Sequence, residues 1–195
     1  MAKRVYFAFH YQDVIDLRAN VVRMHWVTKP DREEAGFFDA SLWEAAKRTS
    51  PLAVKRLING GLDGTSVTCV LIGSETYSRP WVRYEILKSF KKGNKILGVH
   101  INSIRGKDKL KKQPGPNPLD YLGVTFSGSG ETATLHECIN GAWREFDEVD
   151  GASSYRRVSP VREQYRGSGY KLSQLFAIYD WAADDGYNNF STWVG

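Results

Sequence analysis

Two periods of hydrophobic spacing alternate along the first hundred residues. Apolar runs at 4–9 (RVYFAF), 67–72 (VTCVLI) and 95–101 (KILGVHI) read as strands. The run at 67–72 is apolar almost throughout, as in a strand covered on both faces of a parallel sheet. Gly36-Phe37-Phe38-Asp39 is the candidate for one further strand, second in chain order. Between these runs the spacing becomes helical. Asp13 as an N-cap precedes Val14, Leu17, Val21 and Met24, a stripe widened by Ile15 and Val22 that predicts a helix ending near Trp26. Ser41 with Glu44 has the form of a capping box and predicts a helix over SLWEAAKR. Ser50-Pro51 predicts a clearer start, with Val54, Leu57 and Ile58 inward and Gly60-Gly61 at the end. Pro80 opens a helix that carries Val82, Ile86 and Phe90 on one line and stops at Gly93-Asn94. Four β–α alternations predict an open parallel sheet with helices on both faces and right-handed crossovers.

Beyond residue 101 the texture changes. Residues 105–112 carry six charges, five of them basic, and lead into a Pro/Gly-rich stretch read as a solvated loop. Residues 121–127, 132–139 and 142–149 read as short strands, the last two joined by Asn140-Gly141, a strong hairpin signal. Residues 151–169 are polar and arginine-rich and read as loop. A last helix is expected over 172–183, with Leu175, Ile178 and Tyr179 inward, and the aromatic tail is expected to pack back. The chain is read as one domain: an α/β core over 1–104, a loop and β-hairpin extension over 105–170, and a C-terminal helix and tail over 171–195.

Composition narrows the classes of function. The chain has 195 residues, 42% hydrophobic, which suits one domain with a real core. A net charge of +5 favours anionic partners but is too small to require nucleic acid. Two distant cysteines, Cys69 and Cys138, make neither a disulfide framework nor a zinc site. No signal-peptide core and no apolar run of membrane-spanning length is present in the sequence, so a cytoplasmic protein without a membrane partner is expected. The dinucleotide fingerprint GxGxxG, the Walker A loop, the GxSxG elbow and clustered Cys/His ligands are all missing from it.

In open parallel sheets, ligands sit beyond the carboxyl ends of the strands. Residues expected there are His10 and Tyr11 after the first strand, Asp39 after the second, Ser74 after the third and Asn102 after the fourth. Trp81 and Glu85, four apart, stand on one line of the following helix. An aromatic wall, hydroxyls and carboxylates on one edge suit a ligand with sugar hydroxyls and a flat ring. Each residue also has a plain structural role available. Glu85 fits a solvated helix glutamate within reach of Lys88, Trp81 a plug on the core flank, His10 a loop histidine, Asp39 a turn cap.

VYFAFHYQD resembles the opening strand and polar loop of TIR domains, and GFFDAS resembles their second strand. LIGSETYSRPWVRYEI is similar to the segment in which a strand and a Tyr-Ser turn precede a Trp and, four residues on, a catalytic Glu. Val82 stands where the family often has cysteine. The last part, with YDWAADDGYNNFSTWV, is similar to a bacterial TIR-like branch. The resemblance implies a flavodoxin-like, TIR-like α/β fold with an antiparallel extension and final helix. It implies an enzyme of the NAD+ nucleosidase and ADP-ribosyl cyclase type, acting in anti-phage defence, with no metal or second cofactor. Glu85 would be catalytic; Trp81, Phe9, His10, Tyr11, Asp39 and Ser74 would bind NAD+. The implied partners are a ThsA-type effector that responds to the cyclic product, a phage-derived trigger, and further copies of the chain on activation. Two alternatives stay open: a TIR adaptor that binds other TIR domains without catalysis, and an unrelated nucleoside or nucleotide transferase.

Overall fold

The computed structural model describes residues 3–38 and 40–195. The first part contains strands β1 (Lys3–Phe9), β2 (Arg32–Ala35), β3 (Val67–Ile72) and β4 (Lys95–His100). Between them lie helices α1 (Tyr11–Ile15), α2 (Arg18–Val27), α3 (Ala40–Thr49), α4 (Pro51–Leu62) and α5 (Pro80–Lys92). The chain then leaves the sheet and forms β5 (Leu122–Phe126), β6 (Thr132–Ile139), β7 (Ala142–Glu145), β8 (Ser154–Arg156) and β9 (Gly169–Lys171). These make an antiparallel sheet of order β7-β6-β5-β9, with β8 also on β6. The chain returns in β10 (Ile178–Asp180) and ends in α6 (Gly186–Val194).

The main sheet runs β10-β4-β3-β1-β2, every pair parallel. Strand side chains alternate between two cores, as their period of two requires. Tyr6, Ala8, Val70 and Ile72 pack with α4, α5 and the antiparallel sheet. Val5, Phe7, Cys69 and Leu71 pack with α2 and α6, through Trp26, Phe190 and Trp193. The predicted sheet with helices on both faces is thus observed.

Five expectations differ from the structure, the first being that 151–169, read as loop, contains β8 and the start of β9. β2 is the charged segment REEA, not 36–39, because it is an edge strand. Gly36, at φ +81°, ends it and turns Phe37 and Phe38 away. The expected single helix over 13–26 is broken at Leu17, which is left-handed at φ +66°. Its buried stripe is Arg18, Ala19, Val22, Arg23 and Trp26, while Leu17 and Met24 are exposed. Arg18 donates to the carbonyls of Ile104 and Leu110 at 3.0 and 2.7 Å, and Arg23 pairs with Glu34 at 2.6 Å. Paired arginines therefore fill inward positions that a hydrophobic pattern assigns to Leu and Met.

Asp13 is not an N-cap. It lies within α1, buried against Gly73, and burial pushes its carboxyl up to about 6. Finally, 172–183 is no helix: a short turn at Leu172–Gln174 precedes β10, which pairs with Gly98–His100 of β4. The spacing of Leu175, Ile178 and Tyr179 suits either element, and the open edge of β4 decides. The tail supplies the last helix instead, with Trp193 stacked on Tyr179 at 4.2 Å. Residues 171–195 therefore complete the core, and the antiparallel sheet is an insertion between its fourth and fifth strands. Helix α3 forms as expected; its Ser41 side chain lies outside the described residues. Ser50 caps α4 as expected, accepting from the Ala53 N–H at 3.1 Å.

Candidate active site

A cavity of about 260 Å³ opens at the carboxyl ends of β1 and β2, between α3 and the first turns of α5. This is the edge at which open parallel sheets bind ligands. Phe9, His10, Tyr11, Trp81 and Glu85 all line it. One turn of α5 sets Trp81 above Glu85 on the same wall. Pro80 at the first helical position sets where that turn begins.

Three residues expected at this edge are not among these. Ser74 does not line the cavity. Its hydroxyl donates to the Gln113 carbonyl at 2.9 Å and accepts from Asn102 Nδ2 at 3.2 Å. The segment around Gly115 lies so close over Gly73 and Ser74 that a Cβ there would sit 2.3 Å from the Ser74 carbonyl oxygen. The start of the insertion thus covers the ends of β3 and β4, and Asn102 is spent holding it. Asp39 lies outside the described residues.

Sequence reasoning missed Phe38, Trp43, Lys47 and Arg79, which also line the cavity. Phe38 and Trp43 stack at 6.0 Å with planes 5° apart. Only the placement of α3 after the Gly36 turn brings them here. Arg79 sits beside Pro80-Trp81 in sequence, and its adjacency to the α5 start was the available signal.

The electrostatics are divided. Glu85 is only 5% exposed, and burial pushes its carboxyl up to about 8. The Tyr6 hydroxyl donates to Glu85 Oε1 at 2.9 Å and acts in the opposite direction, favouring the carboxylate. At the mouth the charge is positive. Burial lowers the pKa of His10, and the nearby cations Arg79, Lys112 and Lys47 lower it further. Arg79 is paired with Glu75, and its Nε is buried without a partner among the described residues. An apolar chamber with one deep acid and a cationic mouth can hold a flat ring, a ribose and an anionic tail.

The open parallel sheet with its antiparallel insertion defines a TIR-like α/β domain, and related sequences agree with that class. Residues 6–105 match the family model for the Thoeris protein ThsB, TIR-like domain. The chain belongs to that ThsB TIR-like family. A relative from Bacillus cereus (strain MSX-D12), described as "Putative cyclic ADP-D-ribose synthase ThsB1", is 58% identical over 194 residues and is matched along 100% of both chains. Among the described residues, no helix is long and apolar enough to cross a membrane.

Proposed function

We propose that this protein cleaves NAD+ at the nicotinamide–ribose bond and closes the product into a cyclic ADP-ribose isomer. The observation that carries the reading is the buried Glu85 carboxyl beside Trp81 in an aromatic cavity with a cationic mouth. The 58% identity to the Bacillus cereus protein described as "Putative cyclic ADP-D-ribose synthase ThsB1" supports it.

The chemistry follows from charge. Nicotinamide in NAD+ is cationic, so its arrival favours the ionised form of Glu85, which burial otherwise disfavours. As the C1–N bond breaks, its electron pair passes to the ring nitrogen, and positive charge moves onto the ribose. The Glu85 carboxylate stabilises that oxocarbenium-like centre. A nucleophilic group of the same ADP-ribose then attacks C1, giving a ring, where water would give the open product. A proton released in that step has an acceptor of suitable affinity in Glu85. Trp81 stacks on a ring of the nucleotide and holds the two ends together, an effective-molarity gain over water. Arg79 and Lys47 face the diphosphate.

The cavity is smaller than the ~300–1,000 Å³ of typical small-molecule sites. It suits the nicotinamide–ribose half, which leaves the adenosine half at the mouth. Assembly with a second copy on activation would cover that half. Phage infection is the trigger in this reading, and the cyclic product activates a ThsA-type effector that depletes NAD+. Trp81→Ala tests the division of labour: mass spectrometry is expected to show a shift from cyclic to linear ADP-ribose. Unchanged product ratio would remove Trp81 from that role.

A further inference from the structure

Tyr6 lies in the middle of β1, three residues before the cavity wall begins at Phe9, yet it is the residue that reaches the Glu85 carboxyl. It faces the α4–α5 side of the sheet, fully buried, and its hydroxyl donates to Glu85 Oε1 at 2.9 Å. Two glycines make room for its ring. A Cβ on Gly36, in the turn after β2, would sit 2.9 Å from Tyr6 Cζ, and one on Gly61, in α4, would sit 3.1 Å from Tyr6 Cε2. The ring is therefore held in one orientation by three elements. Among the described residues, Glu85 Oε2 takes no hydrogen bond, while Glu85 lines the cavity.

We propose that Tyr6 is a positioning residue that anchors Oε1 of Glu85 and leaves Oε2 as the oxygen presented to the ribose. The role rests on the NAD+-cleaving reading of the cavity. The two oxygens then have separate roles, since Oε1 fixes the carboxyl plane and Oε2 meets the substrate. The hydroxyl also supplies the one described hydrogen bond that offsets the burial of a charged Glu85. The other ionisable groups that share the cavity wall with Glu85 are His10, Tyr11, Lys47 and Arg79, and Tyr84 lies near Tyr6. Tyr6 itself stays protonated throughout the working range, since burial and the neighbouring Glu85 raise its pKa well above 10. It is a donor and never a base.

The test is a carbon NMR titration of protein labelled at Glu Cδ and Tyr Cζ, with Glu85→Gln used to assign the Glu85 signal. In the wild type, the Glu85 Cδ and Tyr6 Cζ signals are expected to move with one shared midpoint near pH 8. Tyr6→Phe keeps the ring and its packing and removes only the donor. Its Glu85 midpoint is expected to rise by roughly one pH unit. In protein turning over NAD+, the acid limb of kcat/KM should follow by the same amount, with kcat falling more than KM. Identical Glu85 midpoints in wild type and Tyr6→Phe would overturn the proposal. So would a wild-type Tyr6 signal insensitive to the Glu85 titration, which needs no variant to fold. If the midpoints shift as expected but the wild type never consumes NAD+, the enzymatic reading fails instead and the Tyr6–Glu85 pair stands.

Discussion

Glu85 at 5% exposure is an expensive residue, because a carboxyl in an apolar wall must either stay protonated or bury a charge. That cost has a measurable sign. Its pKa is about 8 in the folded chain against an ordinary 4.5, so the folded state binds the extra proton between those values. Stability contributed by this group is full below the unfolded value and is lost as pH rises through the folded one. Thermal melts of the wild type are therefore expected to fall in midpoint from about pH 5 to pH 8. Asp13, pushed up to about 6, adds a loss in the lower part of that window. Glu85→Gln keeps the shape and the Tyr6 hydrogen bond, and its melts should lack the upper part of the fall. Parallel melting curves for wild type and Glu85→Gln across this range would show that the carboxyl is not buried as described. The place of Glu85 on one line of α5 with Trp81 was legible from their spacing after a strand and a turn. Its burial and its tyrosine partner were not, because a charge on a helix says nothing of what faces it.

At the scale of elements, the strands and helices that carry strong periodicity were readable: β3, β4, α4 and α5 stand where spacing and caps predict them. The failures share one cause, since tertiary partners made polar residues inward or short segments extended. Leu17 shows the cost of one such compromise. It is 47% exposed and left-handed, at a hinge where α1 hands over to α2. Leu17→Gly should stabilise the protein by about 0.5–1 kcal/mol, as relief of the left-handed penalty exceeds the added backbone entropy. Urea denaturation with an unchanged slope reads this directly. A second element-scale prediction concerns the insertion, which grips α5 by ion pairs. Glu137 of β6, with its side chain 7% exposed, meets Arg83 of α5 at 3.5 Å and Arg144 of β7 at 2.6 Å. Lys88 and Lys91 meet Asp150 at 3.0 and 3.2 Å. Glu137→Ala leaves Arg83 without that carboxylate, and a loss of about 2–3 kcal/mol is expected. Lys88→Ala, breaking a pair whose Asp150 is half exposed, should cost under about 1 kcal/mol and lose its effect in high salt.

For the molecule as a whole, the insertion decides which part of the sheet edge can work. By covering the ends of β3 and β4 through Gln113 and Gly115, it removes Ser74 and Asn102 from the ligand edge. The open remainder, over β1 and β2, is walled by aromatic residues from the first strand, from α3 and from α5. A buried acid beside an aromatic wall serves no purpose in an adaptor, whereas an enzyme that stabilises a developing positive charge on a ribose uses both. The α/β core was legible because four alternations of period admit few topologies. That its fifth strand comes last in sequence was not, because three residues of strand carry too little pattern to be told from a helical turn.

In the proposed reaction, Glu85 drives conversion of NAD+ to a cyclic ADP-ribose isomer. The measurement is mass spectrometry of nucleotides formed when wild type or Glu85→Gln is supplied with NAD+ and lysate from phage-infected cells. Nicotinamide and a cyclic ADP-ribose isomer are expected from the wild type, and at least a hundredfold less of both, roughly the loss on removing one transition-state electrostatic group, from Glu85→Gln. Equal product from the two proteins would contradict it.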